Sequence, residues 1–304
     1  MSQTKKAVLF LIIANVIWGA GFPIYKWALE VLNPFVFAFI RFFLGALIIF
    51  PFVINKLKIQ KKDIPLLILE SIIALTFQIP LLLFGLKLSP SINAPIIISS
   101  TPIFLIIASA FFLKDIVKPK VLAGTLISLA GVMIVIFKPF SGTTQLTDPI
   151  LGNMLLFLSM LCGIAQAIVL KKIMANNEPL TVVFWSFLIG ATPFLIPIFL
   201  FDSSGFSMSV LSNFQALTGI LYATIFSSVI GYYFYYYGLK FIKASEVGIF
   251  SYVDPIATIV VAIPLLEEKI TTLYMLGSFL VFLGIFIAEE RIHYHPIHRL
   301  FKKD

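Results

Sequence analysis

Ten apolar runs follow one another along the 304 residues, and they limit what the chain can fold into more than any other feature. They cover about residues 7–29, 34–54, 65–88, 91–113, 120–137, 150–172, 180–201, 215–239, 245–266 and 271–289. A hydrocarbon core of about 30 Å takes roughly 20 apolar residues at about 1.5 Å of helical rise each. Lipid offers the backbone no hydrogen bonds, so spanning segments are either helices or closed barrels. Barrel strands alternate polar and apolar residues, and these runs do not. The chain is 60% hydrophobic and only 12% charged, about half the charge of a soluble domain. The expectation is an all-α integral membrane protein with ten transmembrane helices. The first run follows Lys5 and Lys6 as a secretory signal would, but it is too long for a signal core and lacks a clear cleavage site, so it is expected to remain as the first helix.

Net charge is +8. In a soluble protein that could mean nucleic acid; here the cations fall between apolar runs and are read as topology signals, with no nucleic-acid partner. With the N-terminus inside, seventeen Lys and Arg fall in inside segments. Four fall at outside ends (Lys26, Lys87, Lys138, Lys269), and Arg41 lies within a run. This asymmetry predicts a multi-pass protein with both termini in the cytoplasm. The single cysteine, Cys162, lies inside a run, so no disulfide can form within the chain.

The two halves repeat each other. At an offset of 153, Phe84–Lys87 falls on Tyr237–Lys240, Pro102 on Pro255, Leu113 on Leu266, Asp115 on Glu268, Gly124 on Gly277 and Gly131 on Gly284. Nearer the front of each half the offset is 145, which puts Lys26 on Lys171, Pro34 on Pro179 and Gly45 on Gly190. Five helices per half is an odd number, so the second half enters from the opposite side. Two inverted five-helix repeats point to a secondary transporter with its site near the midplane between them. The predicted division is 1–139 for the first repeat, 140–149 for an extracytoplasmic connection, 150–289 for the second repeat and 290–304 for a basic cytoplasmic tail.

These residues carry a family resemblance. Trp18-Gly19, Phe22, Lys26, Pro34 and Arg41-Phe42 come first, then Pro102, Leu113, Asp115, Gly124 and Gly131, copied as Pro255, Leu266, Glu268, Gly277 and Gly284. The ordered set in duplicate, over about residues 7–289, resembles the EamA-type ten-helix members of the drug/metabolite transporter superfamily. Members usually carry Gly-Glu after the fourth helix; Lys114-Asp115 and Glu267-Glu268 stand here, keeping the acid and losing the glycine. The resemblance implies movement of small metabolites, often amino acids, across a prokaryotic cell (inner) membrane. Superfamily relatives carry nucleotide sugars and phosphorylated sugars, so substrate does not follow from fold.

Several polar groups lie at membrane depth. Arg41 sits about seven residues into the second run, where an unpaired charge costs at least about 2.5 kcal/mol. It is read either as an anion-binding group in a central cavity or as an internally paired packing residue. Asp254 precedes Pro255, and its repeat equivalent Thr101 precedes Pro102. Each proline frees the carbonyl four residues earlier, Ser251 and Ile98 respectively, which a polar cavity could use. Asp254 is read as binding a substrate amine or a coupling proton, or as the permanent partner of Arg41. Gln78 and Gln166 either line the cavity or bond between helices. Trp18 and Tyr252 are candidate cavity walls, and Asn15 is read as packing. Of the five tyrosines in Tyr232–Gly238, one or two are expected to face the pathway. Glu70 and Glu246 are expected to reach cytoplasmic water, and Lys26 to snorkel at the outer end. Gly124, Gly131, Gly277 and Gly284 should let the fifth and tenth helices approach closely, with a homodimer contact a further use for them.

No GxxxxGK[ST] loop or HExxH is present, and all three histidines fall in the tail. No enzyme constellation, cofactor or metal is therefore expected; the basic tail is read as lying on anionic lipid. The favoured function is export of small polar metabolites, amino acids or their derivatives first, by alternating access with a proton as a coupling ion. The rivals are phosphorylated sugars, nucleotide sugars or lipids as substrates and, from another class, a non-transporting membrane scaffold.

Overall fold

The computed structural model of the protein describes residues 2–104, 119–137, 148–201, 212–242 and 244–288. Leu113, Asp115, Lys138, most of the 140–149 connection, and the 290–304 tail with its histidines lie outside the described residues. Among the described residues the helices are α1 (Gln3–Ala28), α2 (Pro34–Lys56), α3 (Lys61–Leu88), α4 (opening as Asn93–Ser99), α5 (Pro119–Phe137), α6 (Pro149–Met174), α7 (Pro179–Leu200), α8 (Phe214–Phe241), α9 (Gly248–Leu266) and α10 (Thr272–Ala288). Large apolar side chains such as Phe52, Phe199, Phe214 and Phe279 stay exposed on the outside, as a lipid-facing surface requires.

Helix starts follow local chemistry. Asn33 accepts from the Phe35 amide at 2.8 Å and Pro34 opens α2; Asp148 accepts from the Leu151 amide at 3.0 Å and Pro149 opens α6. Both pairings satisfy orphan amides with a side-chain oxygen and a proline that has none to offer. The faces are called near, where α1 begins, and far, where it ends.

The inverted duplication is visible in repeated contacts. On the far face the Lys26 ammonium, at the end of α1, donates to the carbonyls of Leu86, at 3.1 Å, and Ser89, closing the end of α3. On the near face its repeat equivalent Lys171, at the end of α6, donates to the carbonyls of Leu239 and Ile242, closing the end of α8. A lysine near a helix C-terminus satisfies orphan carbonyls and meets the negative end of the dipole. Lys26 is thus buried and engaged rather than snorkelling. Glu268 completes the far face: its two oxygens accept from the Ser91 and Ile92 amides, at 2.7 and 3.0 Å, at the start of α4.

The glycine stripe packs α5 against α10. A Cβ on Gly124 would come within 2.5 Å of the Gly284 carbonyl, and one on Gly131 within 2.6 Å of the Gly277 carbonyl. These glycines are used inside the chain, so a homodimer would have to use the outer sides of the two helices. The third helix of each repeat carries a π-helical stretch, Ile72–Phe77 in α3 and Tyr222–Tyr232 in α8. The fourth helices are broken at equivalent places. α9 runs as a tight 3-10 segment, Gly248–Val253, before its α-helix starts at Asp254, and α4 turns at Ser100 before resuming at Thr101.

Candidate functional site

The broken helices and the π-helical stretches meet around one central cavity. It offers about 160 Å³, where a single water needs about 10–15 Å³. Arg41, Asp254, Gln78, Gln166, Thr101 and Trp18 all line it. Tyr252 does not; its ring lies edge-on to Phe282 at 5.9 Å between centroids.

Arg41 comes from α2. Its Nε donates to Ser228 Oγ of α8 at 3.1 Å, and the guanidinium lies over the rings of Tyr25 and Phe42 at 4.9 and 4.6 Å. Cation–π contact is strongest where water is excluded, and Arg41 is only 2% exposed. Its Nη1 has no hydrogen-bond partner. Asp254 comes from α9, also 2% exposed, with Oδ1 equally without a partner. The two charges form no ion pair with each other, so the packing role in which they neutralise one another is not what the structure contains.

Gly19 explains how Asp254 reaches its place. A Cβ there would lie 2.6 Å from the Asp254 carbonyl oxygen, so only glycine lets α1 and α9 touch backbone to backbone. Thr258 Oγ1 then donates across the contact to the Gly19 carbonyl at 2.7 Å. Gly163 does the same service for Gln78: a Cβ on it would sit 3.0 Å from Gln78 Nε2. Gln78 Oε1 and the Tyr25 hydroxyl are two further buried polar atoms without partners on the cavity wall. Buried polar groups are paired more than nine times in ten. Four such atoms on residues that line one cavity therefore point to a place made for a polar ligand.

Other expectations need correction. The carbonyls freed by Pro102 and Pro255 already hold hydroxyl donors, although Ile98 and Ser251 line the cavity: Thr101 Oγ1 donates to Ile98 at 2.6 Å, and Ser99 Oγ to Ser251 at 3.2 Å. Thr101 reaches its carbonyl from one turn along the same helix, and Ser99 reaches the other across the seam between the repeats. Asn15 bonds the Leu11 carbonyl at 2.7 Å as a packing residue would, yet it also lines the cavity. Trp18 is a wall held in place, its indole donating to the Ser227 carbonyl at 3.1 Å. Tyr232 and Tyr235 supply the cavity face of the tyrosine run. Glu246 is buried rather than wet.

Glu70 departs furthest from expectation. It is fully buried, with Gln166 Nε2 donating to Oε1 at 3.1 Å, Tyr236 Oη to Oε1 at 2.5 Å and Ser186 Oγ to Oε2 at 2.6 Å. Depth counted along α3 gave a position near water; what it could not give is that α6, α7 and α8 close over it. Two signals were present: Glu70 has no cation three or four residues away on its own helix, and Gln166 and Ser186 are isolated polar residues in apolar helices.

Inverted repeats with broken helices around a central cavity are the architecture of a membrane transporter. The EamA-like transporter family matches residues 5–137 and again 150–288. This chain belongs to that family. It is 28% identical over 296 residues to an uncharacterized transporter of Archaeoglobus fulgidus, covering 96% of this chain and 100% of that one. It is 26% identical over 291 residues to a probable amino-acid metabolite efflux pump of Escherichia coli (strain K12), covering 93% and 94%. A crystal structure of a protein 16% identical has the same fold, with a TM-score of 0.65 over 94% of this chain and 99% of that chain. The chain is a transporter, not an enzyme.

Proposed function

We propose that the protein exports small polar metabolites, amino acids or their derivatives first, by alternating access around the central cavity. The observation that carries this reading is a pair of buried, oppositely charged side chains on opposite repeats, Arg41 and Asp254, that line one cavity without joining each other, each keeping one atom, Nη1 and Oδ1, without a hydrogen-bond partner. A guanidinium suits a carboxylate, and a carboxylate suits an ammonium, so a zwitterion answers both. Tyr25, Gln78 and the indole of Trp18 complete the wall. The volume, about 160 Å³, falls below the roughly 300–1,000 Å³ of pockets that take drug-sized ligands. That favours an amino acid over a nucleotide sugar. A phosphate-bearing substrate would call for more cations than the one arginine lining the cavity. The names of the Escherichia coli and Salmonella typhimurium relatives, probable amino-acid metabolite efflux pumps, agree with this substrate class. The Lys/Arg asymmetry supports a cell-membrane orientation with both termini in the cytoplasm.

The test is counterflow in liposomes with labelled amino acids, using a sugar phosphate and a nucleotide sugar as rivals. Saturable amino-acid exchange that Arg41→Ala and Asp254→Asn abolish in folded protein is the expected result. Exchange surviving both substitutions would return the two residues to packing. Absence of amino-acid exchange in folded wild type would pass the site to the phosphorylated rivals or to a lipid.

A further inference from the structure

One buried carboxyl has no part in the substrate site. Glu70 stands roughly 14 Å along α3 from Lys61, at about 1.5 Å per residue, and no Lys, Arg or His is paired with it among the described residues. All three side chains that hold it belong to the second repeat: Gln166 of α6, Ser186 of α7 and Tyr236 of α8. We infer that Glu70 is a proton-binding site, and that its occupancy couples substrate movement to a proton gradient. The coupling rests on the transport reading above; the proton site does not.

The partners argue for a changeable charge. Glu268 is held differently: its oxygens accept from two backbone amides, which can only donate. Two of the three donors to Glu70 are hydroxyls, which can donate or accept by rotating. Ionised, the carboxylate accepts from all three partners. Protonated, its own O–H can donate to Ser186 Oγ, whose hydrogen then turns to a carbonyl one turn back, as helical serines do. Each state leaves the cluster hydrogen-bonded. The step adds one proton to one carboxylate oxygen, and no other bond changes.

The location argues for coupling. Gln166 both holds Glu70 and lines the cavity. Tyr232 lies within electrostatic reach of Glu70 on one side and Arg41 on the other. The other groups around Glu70 are Tyr235 and Tyr236 of α8 and Ser71 of its own helix, while α6 and α7 present the uncharged Gln166 and Ser186. Glu70 also ties the first repeat to the second where they must move against each other. A charge gained or lost there biases one arrangement over the other.

Infrared difference spectra of the purified full chain test the proton site through the carboxyl C=O band. A carboxyl band that responds to pH, lost in Glu70→Gln and kept in Asp254→Asn, is expected. In liposomes, Glu70→Gln should keep labelled amino-acid counterflow, which needs no gradient, and lose about tenfold of the accumulation driven by a pH gradient. If Glu70→Gln fails to fold, Glu70→Asp must shift the band rather than abolish it. Spectra unchanged by the Glu70 variants, or a Glu70→Gln protein that answers a pH gradient like wild type, would overturn the inference. Should wild type exchange no amino acid, the substrate reading falls while the infrared titration still decides the proton site.

Discussion

Among the seams between the repeats, two are copies of each other with different chemistry. At one, α2 meets α7 and α8 at Gly45, whose Cβ would lie 3.0 Å from the Phe187 ring and 3.6 Å from Ser228 Cβ. At the other, α7 meets α3 at Gly190, whose Cβ would lie 2.5 Å from Leu75 Cβ and 2.9 Å from the Ser71 carbonyl. Gly45 and Gly190 are repeat equivalents, as are Arg41 and Ser186 at the same offset of 145. The first seam carries a cation, with Arg41 on Ser228. The second carries an acid on the opposite helix, with Ser186 on Glu70. Duplication kept the small residue where backbones must approach and let the charge diverge where the chemistry is done. Lys26 and Lys171 belong with the glycines: both still close the end of a third helix.

The largest effect expected is at the tighter seam. Gly190→Leu forces its side chain against α3 backbone and should cost about 3 kcal/mol or more, read as loss of monodisperse protein in a detergent melt. Gly45→Ala meets a ring edge that can shift and should cost about 1 kcal/mol. Equal losses would deny that the seams differ in tightness. Next, Arg41→Ala should lower kcat/KM for exchange about 100-fold, near 2.7 kcal/mol. Ser186→Ala, at the equivalent position, should leave exchange within about threefold. Lys26→Met and Lys171→Met should each cost about 1–3 kcal/mol by stranding buried carbonyls, and by similar amounts in the same melt. A large difference between them would break the equivalence of the two closures. The smallest effect is at Glu267, whose φ of 52° places it in the left-handed region at the end of α9. Glu267→Gly should stabilise by about 1 kcal/mol; it restores the glycine that the family pattern carries there.

The scaffold was legible because its causes are local. Apolar length gives helices, and glycine and proline at constant offset reveal the inverted copy. The aspartate and threonine before Pro255 and Pro102 marked the helix breaks, and the expense of a charge in lipid marked Arg41. What escaped depends on neighbours distant in sequence. Glu70 was placed by depth along α3, yet its surroundings are set by residues 96 to 166 positions away. The freed carbonyls of Ile98 and Ser251 were assigned to a ligand because nearby hydroxyls were not counted against it. Tyr252 is adjacent in sequence to the cavity residue Ser251 but points its ring toward Phe282. The π-helical stretches of α3 and α8 have no signature in composition.

The most direct test of the central claim is a competition series in counterflow. A labelled amino acid that exchanges is challenged with its unlabelled self, with the amine lacking the carboxylate, and with the acid lacking the amino group. If Arg41 and Asp254 hold the two ends of a zwitterion, only the amino acid competes with wild type. Competition by both one-ended compounds as strong as by the amino acid itself would contradict that assignment.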